Sequence, residues 1–261
     1  MTKKATDWTK VSIKFQTASI IPAPYSYFYT LELESMESRV GVNLTLNYLD
    51  RDELDEDSIL DEGFTLNDDY SWEGGIPLVW LAELEKMLGK DSLATKDKIS
   101  ETDNFIEVEI QKITGEKVVL YPIDREKWDY FLQEIIQAVY EVSKKELPFE
   151  LEYLSIGQRE TVNLFLKASF ASRTFSITTG DDTPKVVPWK WVNEVMSTVF
   201  RADFLMEEAV EKKPKQSGTF IFIGDGLWYP MYTAIVEPTN KSKVLPKIES
   251  LFKDLLEQVR R

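Results

Sequence analysis

The chain has 261 residues, 43% of them apolar and 12% aromatic, which is enough to bury one large core or two smaller ones and is not the composition of a disordered chain. It contains neither cysteine nor histidine, which excludes disulfides, thiolate metal sites, a cysteine nucleophile and every triad, zinc or iron site that needs an imidazole. The formal net charge of −14 is lopsided: positions 1–146 hold 30 acidic and 16 basic residues, whereas 147–261 hold 15 of each.

Residues 1–8 lack the apolar stretch of a signal peptide, and no apolar run approaches the roughly 18 residues that span a bilayer. With the lack of cysteine, this leads us to expect a cytoplasmic protein without a membrane partner. Residues 11–15 alternate apolar and polar side chains and read as a strand. Pro22 and Pro24 mark a loop. The runs 26–36 and 39–48, rich in Tyr, Leu and Val, read as two more strands, with Ser38-Arg39 near the turn between them. In Tyr25-Ser26-Tyr27-Phe28-Tyr29, alternation puts the three tyrosines on one face and Phe28 on the other.

The polar stretch 49–75 comes next, and then a helix over about 76–89, with Pro77 in its first turn and Gly89 as its stop. Strands at 105–110 and 117–120 are joined through Thr114-Gly115. A helix over about 124–145 has Asp124 as its N-cap, and Trp128, Phe131, Leu132, Ile135, Ile136 and Val139 form one apolar stripe. Lys144-Lys145-Glu146-Leu147-Pro148 reads as a boundary, too short to let two domains move independently. Beyond it, strands are expected at 149–155, 161–171 and 173–178, a helix at 188–203, strands at 217–223 and 230–236, and a helix at 241–259. Gly224-Asp225-Gly226 reads as a turn within the last strand pair.

The second half thus follows the order of the first, and particular residues recur. Pro77-Leu78-Val79-Trp80 is matched by Pro188-Trp189-Lys190-Trp191, and Ser35-Met36-Glu37-Ser38-Arg39 by Ser169-Phe170-Ala171-Ser172-Arg173. Pro122-Ile123-Asp124 is matched by Pro238-Thr239-Asn240; the same shift of 116 places Leu132 on Ile248, Ile135 on Leu251, Ile136 on Phe252 and Val139 on Leu255. The fold class expected is α+β: an internal tandem duplication of a β-β-β-α-β-β-α unit, with antiparallel sheets, helices packed on one face and a pseudo-twofold arrangement. The copies span 1–146 and 147–261, packed into one body. The second copy passes from strand to helix in about nine residues, through Gly180-Asp181-Asp182-Thr183-Pro184, where the first needs about 27, so 49–75 reads as an insertion.

Function is sought in what the copies do not share. Within 50–62, eight of 13 residues are acidic, including Asp55, Asp57 and Asp61, and only Arg51 opposes them. Asp68, Asp69, Tyr70 and Trp72 follow, acids and aromatics in a glycine-flanked run suited to recognition. Trp189, Trp228 and Tyr229 are the aromatic candidates of the second copy; Trp191 and Trp80 read as core. The reading is a non-enzymatic binding protein that docks a basic protein through its acidic first copy. One alternative is a single-stranded nucleic-acid binder using sheet aromatics, disfavoured by the charge; Lys212, Lys213 and Lys215 around Pro214 read as a solvated loop. The other is a carboxylate enzyme using Glu83 and Glu194, or a calcium-dependent protein, although position 6 counted from Asp50 is Asp55 rather than the glycine of an EF-hand. No catalytic residue, metal ligand or cofactor is assigned, because no nucleophile elbow, P-loop or dinucleotide fingerprint is present.

Overall fold

Alternation of apolar and polar residues puts more of the described chain into strands than into helices. The computed structural model describes residues 7–89, 92–180, 182–237 and 243–260. The expectations for Asp181, for Pro238-Thr239-Asn240 with its cap, and for the first residues of the last helix lie outside the described residues. The protein is α+β and mostly strand, with antiparallel sheets and five α-helices among the described residues. It divides into two compact units, Met1–Glu146 and Leu147–Arg261. No described helix is long and apolar enough to cross a membrane.

The first unit runs β1 (Trp8–Gln16), β2 (Tyr27–Ser35), β3 (Val40–Tyr48), α1 (Glu56–Asp61), β4 (Tyr70–Ile76), α2 (Val79–Met87), β5 (Leu93–Ala94), β6 (Phe105–Lys112), β7 (Lys117–Pro122) and α3 (Arg125–Val142). Its sheet has the order β4-β3-β2-β1-β6-β7-β5. Val11, Ile13 and Phe15 of β1 are buried opposite Leu33, Leu31 and Tyr29 of β2, so the register keeps one face apolar. The other face carries charges paired across strands: Lys10 with Glu32 at 2.9 Å, Lys14 with Glu107 at 2.8 Å and Lys117 with Glu109 at 2.7 Å. A sheet with one apolar and one hydrated face suits antiparallel pairing.

Helix α3 begins where expected, because the Asp124 carboxylate accepts the Lys127 N–H at 3.0 Å. Five of the six stripe residues are buried; Ile136 is only partly covered. Trp80 of α2 is 1% exposed, and its ring lies 6.3 Å from that of Phe131.

The second unit runs β8 (Phe149–Ile156), β9 (Thr161–Ser169), β10 (Thr174–Thr179), β11 (Lys185–Val187), α4 (Lys190–Val199), β12 (Asp203–Phe204), β13 (Gly218–Phe222), β14 (Trp228–Pro230), β15 (Ile235–Val236) and α5 (Val244–Arg260). Its main sheet is ordered β11-β10-β9-β8-β13-β14, and β12 pairs with β15 separately. Leu164, Leu166, Phe175, Val195, Ile248 and Phe252 belong to its core.

Three expectations need correction. A fourth strand precedes the first long helix of each unit, since β4 pairs with β3 and β11 with β10. Glycines disguise β4, and β11 is only three residues long between Pro184 and Pro188. Residues 70–75 of the stretch 49–75, read from the sequence as an insertion, are therefore sheet strand. The strand expected at 230–236 is broken, because Pro230 ends β14 and its carbonyl accepts the Ala234 N–H at 2.8 Å to form a turn. Trp191 is half-buried rather than core.

Two substitutions test this arrangement. A Cβ on Gly74 would stand 2.3 Å from the Trp72 ring, so Gly74→Ala is expected to displace that indole, red-shift tryptophan emission and cost about 1–3 kcal/mol in urea unfolding. Asp124→Ala is expected to cost about 1 kcal/mol through loss of the α3 cap, read from the same titration.

Candidate functional site

The acidic segment is held to the first unit by its one cation. The Arg51 side chain is only 12% exposed; Nη1 donates to Asp68 Oδ2 at 2.6 Å and to the Thr65 carbonyl at 2.9 Å, and Nη2 to the Pro24 carbonyl at 3.3 Å. Its guanidinium lies 3.7 Å from the centre of the Tyr48 ring and 4.7 Å from that of Phe64. Contacts of this kind contribute roughly 0.5–2 kcal/mol each where water is excluded. Ile59, 5% exposed, is the apolar residue of α1 that turns inward.

The candidate carboxylates have different tasks. Asp55 caps α1, accepting the Ser58 N–H at 2.9 Å and the Ser58 hydroxyl at 2.8 Å, which lowers its pKa. Burial works to raise the Asp68 carboxyl, but hydrogen bonds from Thr65 and Arg51 outweigh it and hold the pKa below its ordinary value. Asp69 accepts from Asn47 Nδ2 at 2.9 Å and from the Tyr48 N–H at 2.8 Å. Asp57 and Asp61 are exposed and make no ion pair with a described residue. Glu62, one residue beyond α1, accepts the Tyr25 hydroxyl. Among the described residues no group of three or more carboxylates converges as a metal site.

Tyr70 and Trp72 lie on β4, side by side on the face that also carries the buried Leu44 and Leu46 of β3. Tyr70 donates to Ser143 Oγ at 2.8 Å, its ring meets that of Tyr140 edge-on at 5.1 Å, and Lys145 Nζ stands 4.3 Å and 4.5 Å from the two ring centres. A second chain of rings joins the sheet to the acidic segment: Phe15 to Tyr29 at 4.7 Å, Tyr29 to Tyr27 at 6.4 Å, Tyr27 to Tyr48 at 5.8 Å and Tyr48 to Phe64 at 5.7 Å. Tyr27 and Tyr29 share a face as alternation requires. Burial raises their pKa values and pushes Tyr140 up to about 12, so all three phenols stay neutral near pH 7.

Sequence reasoning missed Arg51 as an organiser and missed Tyr48, Phe64 and Tyr140 altogether. The available signal was a lone arginine in an acidic run with aromatics on either side. The aromatic candidates of the second unit are less accessible. Trp228 and Tyr229 are 5% and 1% exposed, and the Tyr229 hydroxyl donates to Asp225 at 2.6 Å. Lys213 pairs with Glu152 and lies 5.1 Å from the Trp228 ring centre, and Pro214 is buried, so the basic segment 212–215 straps the sheet rather than forming a free loop. Trp189 is half-buried against Phe170, ring centres 5.2 Å apart. Glu83 pairs with Lys86 at 2.7 Å, and Glu194 is exposed.

Arg51→Lys, which keeps the charge but loses the planar fork, is expected to cost about 1–3 kcal/mol and to open residues 52–63 to limited proteolysis. The depressed Asp68 pKa gives its contribution a definite sign. That contribution is complete above the ordinary value of 3.8 and is lost as pH falls through the lower folded value. Protease resistance of the segment should therefore decline below about pH 4, and Asp68→Asn should weaken it at neutral pH and remove that step.

No protein-family model matches the chain, and no curated protein is detectably similar to it.

Proposed function

We propose that this is a non-enzymatic binding protein that docks a basic protein partner through the acidic segment of its first unit. One observation carries the reading: Asp52, Glu53, Glu56, Asp57 and Asp61 are all exposed, and none has an ion-pair partner among the described residues. Asp52 and Glu53 lie in the single turn Arg51–Glu53, and Glu56, Asp57 and Asp61 on α1, which follows it and turns Ile59 inward. Like charges gathered on a fixed element repel one another and attract a complementary cationic surface, an effect that weakens with salt. Stacking of single-stranded nucleic acid has less support, because Trp228 and Tyr229 expose almost no ring surface.

We also infer that the two units descend from one ancestral unit, each with its helices packed on one sheet face. The parallel strand orders favour this, with β4-β3-β2-β1-β6-β7 set against β11-β10-β9-β8-β13-β14. Matching details add weight. The Trp80 N–H donates to the Pro77 carbonyl at 3.1 Å, as Trp191 does to Pro188 at 3.1 Å. The turns after β2 and β9 close across the same interval, from Met36 to Arg39 and from Arg173 to Phe170, each at 3.2 Å.

The test neutralises charge and leaves the anchors alone. A variant combining Asp52→Asn, Glu53→Gln, Glu56→Gln, Asp57→Asn and Asp61→Asn keeps Arg51, Asp55, Ile59 and Asp68. It is expected to melt within a few degrees of the parent and to lose salt-sensitive binding to a lysine-rich peptide in fluorescence anisotropy. Equal binding by parent and variant would refute the reading.

A further inference from the structure

We propose that the outer edge of β4 binds an extended basic segment of a partner protein, which joins the first sheet as one further antiparallel strand and sets a lysine side chain opposite Glu73. The proposal rests on the reading of a basic partner and gives that partner a second contact, outside the acidic segment.

The first observation is a row of main-chain groups without partners. β4 ends the sheet, and among the described residues its one ladder is with β3. The phase of that ladder follows from the bonds at the two ends of the β2–β3 pair. There the Met36 N–H donates to the Arg39 carbonyl at 3.2 Å and the Leu49 N–H to the Ser26 carbonyl at 2.9 Å. Gly41, Asn43 and Thr45 of β3 therefore bond to β2, and Val40, Val42, Leu44 and Leu46 bond to β4. Their partners are Ile76, Gly74, Trp72 and Tyr70. This turns the N–H and C=O groups of Ser71, Glu73 and Gly75 outward, and no described residue hydrogen-bonds to them. Ser71 and Glu73 are exposed, so the row is open to solvent.

The second observation is the chemistry beside that edge. By alternation, the same three residues also belong to the hydrated face of the sheet. Glu73 makes no ion pair with a described residue. A hollow of about 110 Å³ next to it is lined by Glu32, Glu34, Met36 and Asn43 as well as by Glu73. Lys10 reaches Glu32 at 2.9 Å and Glu34 at 3.9 Å, so it answers two of the three carboxylates and leaves Glu73. On the opposite face of β4 the Trp72 ring is half-buried and lies over Gly74.

Together these features select the occupant. In an added antiparallel strand, the residues that exchange hydrogen bonds with Ser71, Glu73 and Gly75 place their side chains on the hydrated face, and the residues between them lie beside Trp72. An ammonium opposite Glu73 meets an unpaired carboxylate and reaches the hollow. A second one opposite Ser71 stands diagonally from the same carboxylate. The position opposite Gly75 faces the Arg39 side chain, which lies over that glycine, and suits a neutral residue. The segment recognised therefore alternates apolar and polar residues, with its basic positions opposite Glu73 and Ser71.

The probe is a capped heptapeptide with valine at its odd positions and threonine, lysine and lysine at positions two, four and six. Amide hydrogen exchange of the intact chain is followed by NMR as the peptide is added. Exchange at Ser71, Glu73 and Gly75 is expected to slow roughly tenfold or more at saturation, while Trp72, already bonded to β3, changes little. N-methylation at position four removes a donor aimed at β4 and should abolish that protection. N-methylation at position three, aimed away from β4, should leave it. Glu73→Lys should weaken binding roughly fivefold without lowering the melting temperature, because the side chain is exposed and unpaired. No protection at the three amides, equal binding of the two methylated peptides, or unchanged affinity in Glu73→Lys overturns the site. Protection that appears without peptide and rises with protein concentration names a second copy as the occupant and overturns it too. The variant with Asp52, Glu53, Glu56, Asp57 and Asp61 neutralised separates the two readings. Edge protection equal to the parent's leaves the edge site standing whatever becomes of the acidic segment. Binding that is lost in that variant and indifferent to methylation removes the edge site and leaves basic docking in place.

Discussion

The Arg51 guanidinium is the constraint on which the first unit's acidic surface depends. Residues 50–62 carry eight acids, and without a counter-charge the segment would extend away from the body. One cation prevents this by combining three weak effects: a carboxylate on one edge, backbone carbonyls of two other segments, and aromatic faces. Lysine could supply the charge but not the planar fork that reaches Thr65, Asp68 and Pro24 together. The carboxylates that face solvent are thus presented by those that do not.

That division of labour also explains where sequence reading stopped. Periodicity located β1, β2, β3, β6 and α3 to within a few residues, because their buried faces repeat at two or at three to four. It failed at β4, where Gly74 interrupts the apolar row of Tyr70, Trp72 and Ile76, and Gly75 sits in the other row with Ser71 and Glu73. Those glycines have a tertiary reason: the Trp72 ring lies over Gly74 and the Arg39 side chain over Gly75, contacts that no local pattern encodes.

The candidate site was legible only in composition. Acid density singled out the segment, but Asp55, Asp68 and Asp69 look like Asp57 and Asp61 in the sequence, and only their hydrogen-bond partners distinguish them. Tyr27, Tyr48 and Tyr140 come from β2, β3 and α3, separated by up to about a hundred positions, and no motif spans such a gap. Aromatic density misled in the other direction at Trp228 and Tyr229, which a strap and a core conceal.

The strand ends of the two sheets bear on how copies of this chain avoid one another. An unpaired edge is a template for further pairing, and three of the four edges are too short to serve: β5 has two residues, β11 three between prolines, and β14 three ending in Pro230. Among the described residues β4, seven residues long, is the longest of these edge strands. It carries Glu73 and follows Asp68 and Asp69. Two such edges approaching each other would bring like charges together, so this acidity discourages pairing between copies through that edge.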